Sequence, residues 1–408
     1  MNNAQLSIVN LIVLLVIGLI LQLLFGEFDI RLLRAPLNII VGAIIILSLI
    51  AFSLFRKGRY YRWFSGVPFS VSLIVAIGVL GIIMGLIPQL QTINPHQRDI
   101  YSILGLRSIT TSWYFVLIYF FLLLSLGATI IRRLYVFNIK DYAFCLNHIG
   151  LWVLLFAAGF GAADRERYTM YAYEGKEEST AYNSAGELIK LPMVIALNDF
   201  DMEEYPPKLV IIDNKSLKMQ PEKKPLFYQI DYKNNTGRLL DWSIEIQEYI
   251  HRAENTGNGD YKETLMPGAN PAAKVKATNR QTGEAREGWV SYGNKMQTFE
   301  ALRLNDGYSI VMTGAEPKRY VSDISIFLSG KEEKNVTLEV NKPFRTWNWM
   351  VYQYGYDNKA GRLSAYSILE IVYDPWLYGV YLGILLLAAG SVCLLWSGKI
   401  RRTKNDME

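Results

Sequence analysis

The sequence predicts an integral membrane α-helical bundle of six transmembrane helices with a large extracytoplasmic β-rich domain. Three observations carry this. The 408 residues are 51% hydrophobic and only 19% charged. Their apolar residues cluster into runs of about 20, long enough at 1.5 Å per residue to cross a hydrocarbon layer of about 30 Å. One long polar stretch, residues 164–375, instead consists of short β-like segments.

The apolar runs fall at about 7–26, 36–55, 68–88, 113–131, 142–163 and 376–397. No basic residue precedes the first and no small-residue cleavage site follows it, so it is expected to remain as a membrane helix. Basic residues of short loops resist translocation. They occur after the second run (Arg56, Lys57, Arg59, Arg62), after the fourth (Arg132, Arg133, Lys140) and in the tail (Lys399, Arg401, Arg402, Lys404). Six crossings put all three groups inside, both termini in the cytoplasm and residues 164–375 outside. The expected location is a bacterial cytoplasmic (inner) membrane, with the large domain on the periplasmic side. The formal charge of +5 resides largely in these loops, so no nucleic-acid partner is expected.

Residues 164–375 are long enough to bury a core. Lys208–Asp213, Leu226–Tyr232, Trp242–Tyr249, Tyr308–Thr313, Ser325–Leu328 and Val336–Val340 read as strands between Asn, Gly, Lys and Pro clusters. A β-sandwich or half-barrel is expected, with Trp347 and Trp349 in its core. Thr256 to Ala285, rich in polar residues with Pro-Gly and Thr-Gly pairs, reads as a long loop. Gly81 with Gly85, and Ala158 with Ala162, are spaced for close helix contact.

Both cysteines, Cys145 and Cys393, lie in apolar runs, which excludes a disulfide, a C-x-x-C pair or a thiol nucleophile in the outer domain. H-E-x-x-H, G-x-S-x-G, P-loop and G-x-G-x-x-G motifs are missing as well. Three histidines remain. His96 and His251 read as solvated, whereas His148 lies inside the fifth run, where an ionisable side chain is a functional-site hypothesis by default. Helical spacing puts Cys145, His148, Trp152 and Leu155 on one face. That set suits a porphyrin with one axial nitrogen ligand, and equally a histidine hydrogen-bonded between helices beside Asn147.

Ordered strings then carry a resemblance. They are Phe69-Ser70-Val71-Ser72-Leu73 leading to Gly85-Leu86-Ile87-Pro88-Gln89, then Ser112-Trp113-Tyr114-Phe115, then His148-Ile149-Gly150. Val340-Asn341-Lys342-Pro343, Val351-Tyr352-Gln353-Tyr354-Gly355-Tyr356-Asp357 and Tyr373-Asp374-Pro375 follow. Over residues 64 to 408 this order resembles the ResB/CcsB family of System II cytochrome c biogenesis. The resemblance implies four regions: two N-terminal helices outside the family core (1–63), three core helices (64–163), the outer β-rich domain (164–375), and the last helix with its basic tail (376–408).

It further implies a subunit of a cytochrome c synthase complex that carries haem across the membrane and supports its attachment to apocytochrome C-x-x-C-H segments. The cofactor is haem b, with His148 as axial ligand to the iron beside Trp152, and with Arg132, Arg133 and Lys140 neutralising propionates. The second ligand and a tryptophan-rich surface come from a CcsA-like membrane partner, and apocytochrome c is the client. With no outer thiol and no visible acid or base, the chain is expected to be required for synthesis without being catalytic alone. The alternative is a structural membrane subunit of a respiratory or transport complex that binds no haem.

Overall fold

The computed structural model describes residues 2–89, 99–230, 235–266, 269–293, 298–328, 333–358, 360–361 and 364–405; for Lys140 and residues 397–405 it describes the backbone. The chain divides into two compact units. One comprises Met1–Arg167, Arg345–Trp349 and Val372–Glu408, and the other Tyr168–Phe344 and Met350–Ile371.

The first unit is helical. Its helices are α1 (Asn3–Phe25), α2 (Leu37–Ser53), α3 (Arg59–Phe64), α4 (Val67–Leu86), α5 (Ile100–Ile103), α6 (Trp113–Tyr135), α7 (Tyr142–Gly161) and α8 (Leu377–Asn405). Local chemistry sets their ends. Asn2 and Gln5 form a reciprocal capping box on α1, and Pro68 sits in the first turn of α4, where a missing N–H costs nothing. Among the described residues α1, α4, α6, α7 and α8 are long and apolar enough to cross a membrane. The second apolar run gives a shorter helix, α2, of 17 residues.

Burial in this unit runs opposite to a water-soluble protein. Ser7, Gln22, Asn38, Ser53 and Ser125 are buried, while Ile8, Ile12, Leu24 and Leu47 are exposed. Polar side chains that bond inward and apolar ones that face outward are what a lipid surround selects. The chain is an integral membrane protein.

The small-residue contacts differ from those expected. A Cβ at Gly81 or Gly85 would meet nothing within 4 Å, whereas one at Gly150, Gly383 or Gly390 would run into the backbone of Leu387, Leu154 or Asn147 respectively. The tight pair is thus α7 with α8. The motif on α4 has the right spacing, but no helix among the described residues packs on those two glycines.

Strands follow as β1 (Glu166–Tyr173), β2 (Glu177–Asn183), β3 (Leu188–Glu204), β4 (Lys208–Asp213), β5 (Phe227–Gln229), β6 (Thr236–Leu239), β7 (Trp242–Asn255), β8 (Tyr261–Glu263) and β9 (Asn270–Asn279). Then come β10 (Ala285–Ser291), β11 (Leu302–Arg303), β12 (Tyr308–Met312), β13 (Pro317–Leu328), β14 (Lys334–Glu339), β15 (Phe344–Thr346), β16 (Trp349–Tyr356) and β17 (Tyr366–Tyr373). They form three sheets: an eight-stranded one in the order β14-β13-β3-β2-β1-β17-β16-β15, a five-stranded one in the order β10-β9-β7-β6 with β8 on β7, and a four-stranded one in the order β11-β12-β4-β5. The two smaller sheets share one core. Leu209 and Ile211 of β4 and Ile310 of β12 pack in the same cluster as Ile244 and Ile246 of β7 and Val275 of β9. These two sheets pack as a sandwich, one of the two arrangements expected, and the eight-stranded sheet stands outside that core.

Two expectations fail here. Thr256 to Ala285 is not a long loop, for it contains β8 and β9. Ile246 pairs with Val275, and Ile244 with Ala277. The strand escapes notice because its inward residues are mostly small alanines, which rank low in strand preference, yet Ala272, Ala273, Val275 and Ala277 are fully buried. Trp347, expected in the core, is 74% exposed. It occupies the turn between β15 and β16 with φ +46°, a left-handed backbone position. Trp349 packs with its ring 4.8 Å from that of Tyr373.

Candidate functional site

α7 begins after Asp141, and positions four, seven and eleven residues apart share a helix face. Phe144, His148, Leu151 and Leu155 accordingly line one cavity of about 720 Å³, inside the range typical of small-molecule sites. α4 contributes Val67, Ser70, Val71 and Ile74, and α6 contributes Leu122, Leu126, Thr129 and Arg132. Most of this lining is apolar. Toward the N-terminus of α7 the lining becomes cationic, with Arg56, Arg132 and Arg133 beside Tyr135 and Ser65.

The His148 ring stacks on Phe144 at 3.7 Å, and its Nδ1 lies 3.1 Å from the Phe144 carbonyl oxygen. A carbonyl only accepts, so Nδ1 carries the proton and donates. Nε2 keeps its lone pair and has no hydrogen-bond partner among the described residues. This second-nitrogen anchoring is what orients metal-ligating imidazoles.

The bond between helices belongs to the neighbouring side chain. Asn147 Nδ2 donates to Ser391 Oγ at 2.8 Å and to the Leu387 carbonyl at 3.4 Å. Among the described residues His148 bonds within its own helix, and not between helices as the alternative expected.

Each expected companion can be located. Arg132 lines the cavity and donates from Nη1 to Ser65 Oγ at 3.1 Å. Arg133 also lines it, but pairs with Asp141 at 2.6 Å and lies 5.6 Å over the Phe144 ring. Trp152 does not line the cavity. Its Nε1 donates to the Leu123 carbonyl at 3.1 Å and its ring stacks on Phe156. Cys145 is buried and outside the lining as well. One residue of helical phase separates Phe144 from Cys145, and that offset turned the expected face. Lys140 is described by its backbone only, and His96 lies outside the described residues. His251 is exposed on β7.

Arg56 is the cavity residue missed from sequence. Its guanidinium lies 4.1 Å over the Tyr135 ring. In the sequence it counted only as a loop charge, because nothing local indicates that the segment after α2 folds back onto the end of α6.

The donor set fits a flat macrocycle with acid groups. Among the described residues no three His, Cys, Asp or Glu side chains gather as a metal site, so a bare ion would find one ligand. A flat macrocycle that brings its own four nitrogens needs only an axial imidazole, apolar walls and cations for its acid groups. Haem b meets that description.

Residues 278–370 match the model of the ResB-like family, the family that the ordered strings resemble. No curated protein matches the sequence. Among solved structures, a cytochrome c heme lyase, CcmF, aligns at 13% identity over 89% of this chain and 46% of that one, with a TM-score of 0.22. The chain thus spans under half the length of that protein.

Proposed function

We propose that this ResB-like chain is a subunit of the machinery of cytochrome c biogenesis, where it holds haem b in the His148 cavity and passes it to the opposite side of the membrane for attachment to apocytochrome. The observation that carries this is an imidazole anchored through Nδ1 to the Phe144 carbonyl, in the lining of a largely apolar cavity that also holds Arg56, Arg132 and Arg133, in a chain whose residues 278–370 match the ResB-like family. Bound there, haem b would supply the vinyl carbons to which the two thiols of a C-x-x-C-H segment add. His148 Nε2 would hold the iron of the bound group, with its tautomer set by the Phe144 carbonyl. Arg132 neutralises acid groups that would otherwise be costly to desolvate. Both cysteines of the sequence lie in α7 and α8, so thiol reduction falls to another protein, and a CcsA-like partner completes the iron coordination and the ligation site.

The same reading has six crossings, with α2 among them. Asn38 at the start of α2 bonds the Phe160 carbonyl and Asp164 at the end of α7. Ser53 at the end of α2 meets the Tyr135 hydroxyl, at 3.3 Å, at the end of α6. Because α6 and α7 run antiparallel, these anchors lie at opposite ends of the bundle, which supports a helix that traverses it. Both termini are then cytoplasmic, and residues 164–375 lie across the membrane from them.

The test is the visible spectrum and pyridine haemochrome of the chain purified with its membrane partner, wild type against His148→Ala. Loss of b-type haem, or a changed axial-ligand spectrum, is expected in the variant. Equal haem with identical spectra would remove His148 as a ligand and favour a purely structural membrane subunit.

A further inference from the structure

The cavity lining holds three guanidinium groups and no carboxylate among the described residues. Arg133 has an acid partner in Asp141. Among the described residues the other two do not: Arg132 meets the neutral Ser65 hydroxyl, and Arg56 lies on the Tyr135 ring. Arg56 is exposed and Arg132 half-buried, so both positive charges beside the apolar lining stay open to an anionic ligand. Each guanidinium also has a planar fork of donors that matches one carboxylate.

We propose that Arg56 and Arg132 form a two-carboxylate anchor at the mouth of the cavity, so that the site selects a flat amphiphile with two acid groups on one edge over its neutral ester. This rests on the haem reading above and deepens it. It also gives a purpose to the two N-terminal helices, which lie outside the region of family resemblance. Arg56 follows the end of α2 by three residues, and only the path of that helix brings it here. Its approach is fixed on both sides. Ser53 meets the Tyr135 hydroxyl, and the Tyr61 hydroxyl, in a side chain 1% exposed, donates to the Ala128 carbonyl of α6 at 2.9 Å. Without α1 and α2 the cavity would keep its histidine and apolar walls and lose half of its anchor.

The position of the two cations also orders the ligand. His148 lies six residues into α7 and about 9 Å from its start at 1.5 Å per residue, whereas Arg56 and Arg132 lie at the end where α2 and α6 finish. An amphiphile held by His148 and by both arginines has its acid edge toward that end and its apolar edge toward Ile74, Leu122 and Leu155.

The experiment titrates the apo chain, copurified with its membrane partner, in nanodiscs with iron protoporphyrin IX and, separately, with its dimethyl ester, following the absorption change, for wild type, Arg56→Gln, Arg56→Lys and Arg132→Gln. Wild type is expected to prefer the free acid by about ten- to hundredfold. Each Gln variant should lose about tenfold in acid affinity while leaving ester affinity unchanged, and Arg56→Lys should restore part of the loss because it keeps the charge. The acid preference should also fall as salt is raised.

Equal wild-type affinity for acid and ester, or a Gln variant that weakens both alike, would overturn the anchor and leave the haem site standing. Binding of neither ligand to wild type would overturn the haem reading itself, and the anchor with it.

Discussion

Asp164 is the only charged side chain buried among the described residues, and its oxygens are fully used. It accepts from the Ala35 amide at 2.8 Å, from Asn38 Nδ2 at 2.6 Å and from Trp376 Nε1 at 2.7 Å, tying the starts of α2 and α8 to the end of α7. Burial opposes its ionisation, but these three bonds and nearby Arg34 outweigh burial and hold the carboxyl below the ordinary aspartate range. A carboxyl lowered in the folded state contributes stability above its unfolded value of about 4, and that contribution is lost as pH falls through the lower folded value. Thermal stability should therefore drop below about pH 4 in wild type, and less steeply in Asp164→Asn. Asp164→Ala orphans three donors at about 1–3 kcal/mol each, so its melting temperature in detergent should fall sharply at neutral pH. A variant that melts with wild type would show that the clamp contributes nothing.

At the same scale, His148 stood out in the sequence by depth alone. Its neighbours on the cavity wall did not, since Phe144 and Arg56 differ from Cys145 and Trp152 only by helical phase and by the path of a distant segment.

Among the elements, α7 and α8 are the pair that the glycines decide. Gly150→Leu would drive a side chain into the Leu387 backbone. It should separate the two helices, release Asn147 from Ser391 and sharply reduce the folded fraction recovered in detergent. Gly81→Ala meets open space and should stabilise α4 slightly, by about 0.5–1 kcal/mol, because alanine loses less backbone freedom in a helix interior. Equal effects from the two substitutions would contradict the assigned packing.

In the sandwich, Ile244 is fully buried, and Ile244→Ala should cost about 2–5 kcal/mol, read as a lower unfolding midpoint. The strands with branched or aromatic alternation were legible in the sequence: Lys208–Asp213 is β4 to the residue. β9 was not, because alanine leaves no such pattern and only the facing sheet shows that its small side chains fill a core.

For the whole molecule, the open quantity is where α2 runs. Its 17 residues span about 25 Å at 1.5 Å each, some 5 Å less than a typical hydrocarbon core of about 30 Å. Local thinning and the long side chains of Arg34 and Arg56 at its two ends are ways to absorb a mismatch of that size. Loop charge cannot decide the matter. With five crossings and α2 left on one side, the basic segments after α2, after α6 and in the tail would still share a side, and the N-terminus would change sides. What differs is the relation between the two ends of α2. If α2 traverses the membrane, Asp29→Cys and Lys57→Cys lie on opposite faces, and only Asp29→Cys, with Ser184→Cys of the β-rich unit, reacts with an impermeant maleimide added to intact cells. Lys57→Cys should label only after permeabilisation. If Asp29→Cys and Lys57→Cys instead label together under either condition, α2 does not cross, and Arg56 reaches the cavity from a helix that stays on one side. The two native cysteines, both within α7 and α8, set the background and are removed first.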